Sequence, residues 1–92
     1  MIKSFRHKGL QAFFETGSTK GILPAHAKRL ARMLLFIARA RAPDELDIPG
    51  WRLHPLHGRL QGWWSLTVTG NWRLIFRFSG TDVEMLDYLD YH

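Results

Sequence analysis

The sequence predicts an α+β domain: a short N-terminal strand, then two helices packed on one face of a twisted, mainly antiparallel sheet. Apolar residues recur at helical spacing up to about residue 41, and from Trp51 onward the period changes to two. Between these halves lies a break, residues 42–50, where Pro43 and Pro49 flank Asp44, Glu45 and Asp47. The 92 residues suffice for one domain, 1–92, with a single small core. Helices followed by successive strands place the helices on one side of the sheet.

The elements follow in order. Residues 1–5, with Ile2 and Phe5 apolar, are expected to open the sheet as a strand. Leu10, Phe13 and Phe14 share one helix face, which predicts a first helix over 8–16 with Gly17 at its C-cap. Pro24 suits the first turn of a second helix, and Ala27, Leu30, Ala31, Leu34, Ile37 and Ala38 carry it to about Arg41. Arg29, Arg32, Phe36 and Arg39 lie near one stripe of that helix. Such a stripe suits RNA or an acidic partner helix, and equally a solvated face.

A strand is expected over 51–54, confined to an edge by Pro55, followed by a turn over 58–62. Trp64, Leu66 and Val68 then share a face, and after the Gly70-Asn71 turn so do Trp72, Leu74, Phe76 and Phe78, with Arg73, Ile75 and Arg77 opposite. A last strand runs from Val83 to Leu89. Of the four tryptophans, Trp63 is the one expected to be exposed, the others being core and sheet-packing residues.

Charge and cysteine count narrow the function. Residues 1–41 hold nine Lys or Arg against Glu15 alone, whereas residues 42–92 hold four against seven acids. A basic half attracts phosphate backbones or acidic surfaces, and a solvated basic face accounts for the charge as well. With no cysteine, disulfides, thiolate nucleophiles and thiolate zinc sites are excluded. Ile-Lys-Ser-Phe-Arg follows Met1 in place of an export signal, and the longest apolar run, Met33 to Ala38, is too short for a bilayer. The expectation is a cytoplasmic protein with no membrane partner.

One set of residues concentrates proton-transfer and cationic groups: His54 and His57 around Pro55, Arg73, and Asp90-Tyr91-His92 after the last strand. As metal ligands they lack a close-spaced pair on one regular element, so no metal or cofactor is expected. No serine has a nucleophile elbow. Metal-independent RNA cleavage fits better, since it needs a base for the 2′-hydroxyl, an acid for the 5′-oxygen and cations for the charge growing on phosphate. Solvated surface side chains account for each residue taken singly.

Ile2-Lys3-Ser4-Phe5 with His7-Lys8-Gly9-Leu10, Leu53-His54-Pro55-Leu56 with Gly58, Trp64-Ser65, Asn71-Trp72-Arg73 and Asp90-Tyr91-His92 occur in an order and spacing that resembles the HigB-type toxins of the RelE/ParE superfamily. The resemblance implies a RelE-like fold and the toxin of a type II toxin-antitoxin pair, an endoribonuclease that cleaves mRNA in the ribosomal A site of the small subunit. It implies inhibition by a HigA-type helix-turn-helix antitoxin. Carried over residue by residue, it implies a catalytic set of His54, His57, Arg73, Asp90, Tyr91 and His92. In that set His92 or Asp90 serves as base or its orienting partner, and His54 as the second proton-transfer group. Arg73 and His57 clamp phosphate, and Tyr91 positions the nucleotide. Arg6, Lys8, Arg59 and Arg77 are candidate RNA contacts through charge.

One position departs from the pattern: some relatives have lysine where this chain has His57, replacing a permanent cation with a residue type largely neutral near pH 7. Two other functions compete. A ParE-like gyrase poison keeps the fold and changes the target, and a noncatalytic RNA- or partner-binding module needs no site at all.

Overall fold

The computed structural model describes residues 1–91. Helix α1 (Lys8–Thr16) starts where His7 Nδ1 accepts the Leu10 N–H at 2.9 Å. It stops at Gly17, which adopts a left-handed φ of 81° and gives its N–H to the Phe13 carbonyl at 2.9 Å. Helix α2 (Ala27–Arg39) is shorter at both ends than the expected span. The chain enters it through a 3₁₀ turn, Pro24–His26, because the His26 side chain turns inward to the sheet. It leaves at Ala40, which is extended, and Glu45 Oε1 takes the Arg41 N–H at 2.7 Å.

Four antiparallel strands follow in spatial order: β1 (His54–Pro55), β2 (Trp63–Thr69), β3 (Trp72–Ser79) and β4 (Asp82–Asp90). The expected strand over 51–54 is reduced to His54 and Pro55. Trp51 instead enters the core, 2 % exposed, and its carbonyl accepts the Thr67 N–H at 2.7 Å. The break between them is Arg52, whose φ of +53° interrupts the strand. Pro55 sits on the edge strand, where its missing N–H is not needed.

The N-terminal segment runs parallel to β4 at the opposite edge, but as two isolated bridges, Ile2 to Val83 and Phe5 to Leu86, not as a regular strand. A bulge in β4 explains this. The β3 partner shifts from Asp87 to Glu84 between Ile75 and Arg77, and Met85, at φ +58°, gives its N–H to Ser4 Oγ at 2.9 Å.

The helices cover one face of the sheet. Leu10, Leu30, Met33 and Ile37 pack there against Leu66, Leu74 and Phe76, all fully buried. Each such side chain contributes roughly 1.5–3 kcal/mol. The other face is open but carries its own small cluster of Leu56, Trp63 and Ile75. Trp63 is thus 8 % exposed, which corrects the expectation of an exposed tryptophan. Leu56 and Leu60 fold over it from the loop after β1, and two arginines lie against its ring.

Candidate active site

Strand register decides which candidate residues can meet, since partners across a pleated sheet point to the same side. His54 pairs with Ser65, Ser65 with Ile75, and Ile75 with Asp87, which forms one row on the open face. The next row on that face is Thr67, Arg73 and Leu89. His54 and Arg73 therefore share a face two strands apart, with Cα atoms about 12 Å from each other by strand spacing and rise.

His54 is exposed, and its Nδ1 lies 3.0 Å from the Arg52 carbonyl oxygen. A carbonyl only accepts, so this contact places the neutral ring's proton on Nδ1 and leaves the Nε2 lone pair outward. Arg52, at its positive φ, aims that carbonyl. Sequence reading missed this role, because nothing in the residue type of Arg52 signals it.

Arg73 folds over the turn before β3. Its Nη1 donates to Gly70 O at 2.6 Å and to Trp72 O at 3.1 Å, which fixes the guanidinium and leaves Nε–H and both Nη2–H. His57 is exposed on the loop that leaves β1, with no side-chain cap bond in the 3₁₀ turn Gly58–Leu60 that follows.

The C-terminal residues reach the same end of the sheet from β4. Asp90 pairs with Trp72, so it sits beside Arg73 in sequence register but on the helix-facing side of the pleat. Tyr91, 46 % exposed, extends the ladder by giving its N–H to Asn71 O at 2.7 Å. His92 lies outside the described residues. The structure thus puts His54 and Arg73 on the open face two strands apart and brings Tyr91 to the end of β3 and β4, whereas Asp90 lies on the helix-facing side three strands from His54 and His57 lies beyond the edge strand.

Behind Asp90 lies a buried network that the sequence did not reveal. Trp72 stacks on Tyr88 with centroids 4.7 Å apart, and Tyr88 Oη lies 2.6 Å from His26 Nδ1. The Leu23 N–H donates to the same hydroxyl at 3.4 Å, so Tyr88 Oη ties the His26 ring and the turn before α2 to the sheet. Burial pulls the His26 pKa down and pushes that of Tyr88 up, the latter against an opposing pull from the Leu23 N–H.

Of the candidate RNA contacts, Arg6, Lys8 and Arg59 are exposed, and Arg77 donates from Nε to Glu84 Oε2 at 2.6 Å. The stripe on α2 stands on the far side of the sheet. Arg29 donates to Gly50 O at 3.1 Å, and Arg32 lies over the Phe36 ring at 5.6 Å.

Comparison with known proteins supplies the family. A family model described as the RelE-like toxin of type II toxin-antitoxin system HigB matches residues 3–92. The chain belongs to the HigB-like toxin family. It is 45 % identical over 92 residues to Endoribonuclease HigB of Proteus vulgaris, covering all of both chains. It is 35 % identical over 94 residues to Toxin HigB-1 of Vibrio cholerae, covering all of this chain and 98 % of the other. Among solved structures, E. coli YafQ is similar in fold: a mutant form of it gives a TM-score of 0.56 at 20 % identity, over 96 % of this chain and 89 % of that one. YafQ from strain BL21(DE3) gives 0.55 at 16 % identity with the same coverage. The expected α+β, RelE-like fold and the family of HigB toxins are both borne out.

Proposed function

We propose that this chain cuts mRNA held in the A site of the small ribosomal subunit, by acid-base catalysis that needs no metal, on the open face of its sheet. As a HigB-like toxin it is an endoribonuclease of a type II toxin-antitoxin system, and such a toxin has an antitoxin partner. The observation that carries the catalytic reading is the 3.0 Å contact of His54 Nδ1 with the Arg52 carbonyl, which favours a proton on Nδ1 and leaves Nε2 to accept one.

In this reading His54 Nε2 takes the proton of a ribose 2′-hydroxyl, whose oxygen attacks the adjacent phosphorus. The bond from phosphorus to the 5′-oxygen breaks, and an acid from the residues that follow Asp90, namely Tyr91 or His92, protonates that oxygen. The products are a 2′,3′-cyclic phosphate and a 5′-hydroxyl. Arg73, with three N–H groups still available, and His57 hold the phosphate oxygens as charge grows on them. The Tyr91 ring positions the nucleotide. Arg6, Lys8, Arg59 and Arg77 add RNA contacts through charge, which fall with salt.

The antitoxin in this reading is a HigA-type helix-turn-helix protein, and the setting is the cytoplasm. Among the described residues no helix is long and apolar enough to cross a membrane.

Primer extension on a defined mRNA in programmed ribosomes tests the proposal. Wild-type protein should cut within the A-site codon and leave the mRNA intact without ribosomes. His54→Ala should cut about 10²- to 10⁴-fold more slowly, with unchanged melting, and His92→Ala should also lose activity. Intact mRNA from folded, toxic protein would refute the nuclease reading and direct attention to gyrase.

A further inference from the structure

Trp63 is a tryptophan with two cations against it. The guanidinium carbon of Arg6 lies 5.8 Å from its ring centroid and that of Arg77 lies 5.7 Å away, both within cation–π range. Arg6 arrives from the N-terminal segment, anchored by its N–H on Leu86 O at 2.8 Å, whereas Arg77 is the cross-strand partner of Trp63. Two segments distant in sequence thus place like charges on one ring.

Like charges repel, and the carboxylate that offsets them is Glu84, bound to Arg77 Nε at 2.6 Å. Among the described residues the Arg6 guanidinium has no carboxylate partner, and Arg6 is exposed. Two guanidiniums against one carboxylate leave one net positive charge, the complement of one phosphodiester. A guanidinium held against a ring at these distances does not spend its N–H groups on it. Arg6 keeps five donors, and Arg77 keeps the four on its Nη atoms.

The clamp is distinct from the candidate catalytic row. Arg77 and Arg73 are four residues apart on β3, about 14 Å by strand rise. They also lean apart, Arg77 over Trp63 and Arg73 back to Gly70. One phosphate does not serve both.

We propose that Arg6, Trp63 and Arg77 form a preorganised second phosphate-binding subsite for RNA, and that Glu84 is its built-in competitor. The proposal rests on the open face being the RNA-binding face. Trp63 holds both guanidiniums in place, so little side-chain freedom is lost when the phosphate arrives. Glu84 occupies part of Arg77 until RNA displaces or shares it.

The test measures binding, not cleavage, so that it stands apart from the nuclease reading. Wild-type, Arg6→Gln, Arg6→Lys and Glu84→Gln proteins are titrated at several salt concentrations. One arm uses a single-stranded RNA carrying 2′-O-methyl groups, and the other uses ribosomes programmed with the same RNA. Each phosphate contact contributes about 0.7–0.9 to the slope of log affinity against log salt. Arg6→Gln should weaken binding and flatten the slope by about that amount, while Arg6→Lys retains part of it. Glu84→Gln should tighten binding by at least about twofold and steepen the slope. A purely structural ion pair would not give that gain. Changes in both arms assign the phosphate to mRNA, and changes with ribosomes alone assign it to ribosomal RNA. Variants that melt as wild type and keep wild-type slopes in both arms would overturn the subsite, even where cleavage is intact. So would a loss of affinity in Glu84→Gln.

Discussion

His54 and His57 stand three residues apart yet are held differently. His54 has its ring fixed by the Arg52 carbonyl, whereas His57 is exposed after the edge strand with no side-chain cap bond. The first suits proton transfer, and the second suits a phosphate contact that depends on protonation. His57→Lys substitutes a cation that persists to high pH. We expect wild-type cleavage to have a more acidic optimum than the His57→Lys variant, and coincident pH–rate profiles would contradict this. A different histidine governs stability. Burial holds the His26 pKa below its ordinary value of about 6.5, so the unfolded chain binds more protons there. The stability that neutral His26 contributes is present above that ordinary value and is lost as pH falls toward the depressed one. Urea unfolding should show stability declining on acidification below about pH 6.5, and His26→Gln should flatten that decline. A variant with an unchanged acid slope would remove His26 from the explanation. The candidate residues His54, His57, Arg73, Asp90 and Tyr91 were legible in the sequence as chemical types in a recognisable order. The His26–Tyr88 pair was not, since residues 62 apart meet through a hydrogen bond that no spacing rule connects.

At the scale of elements, both helices were legible because their apolar faces repeat at helical spacing, and their ends were not. The start of α1 depends on His7 acting as a cap, an uncommon residue for that position. The His7-Lys8-Gly9-Leu10 motif also has a packing reason. A Cβ on Gly9 would lie 2.7 Å from Gly21 Cα, and one on Gly21 would clash with Gly9 in turn. Two backbones touch here, so the first turn of α1 and the turn before α2 fix one another. Gly21→Ala should destabilise the fold by roughly 1–3 kcal/mol through overpacking against backbone that cannot rotate away. Chemical denaturation measures this, and wild-type stability in Gly21→Ala would show that the contact is slack. In the sheet, alternation gave the faces of β2 and β3 correctly. It failed at Trp63, because the same period fits a solvated face and a face with a small second cluster. It also missed the bulge at Met85, which leaves the N-terminal segment bridged to β4 at two isolated points.

The molecule as a whole separates two surfaces. The helix side carries the basic stripe of α2 with exposed Leu35 and Phe36, and the open sheet face carries His54, Arg73 and the Arg6–Trp63–Arg77 group. The charge asymmetry of the sequence announced a basic protein but not this division, since Arg6 from the basic half crosses to the face built by the acidic half. Family membership gives a type II toxin, and the geometry supplies the argument for how it acts. The central claim is that a 2′-hydroxyl in the A-site codon is the nucleophile and that side chains on this face move its proton. Replacing that single nucleotide by its 2′-deoxy form in programmed ribosomes tests it most directly. The account predicts that the all-ribose mRNA is cut to a fragment ending in a 2′,3′-cyclic phosphate, and that the substituted mRNA stays intact at that position. Cleavage at the deoxy nucleotide, or a fragment ending in a 3′-hydroxyl, would contradict it.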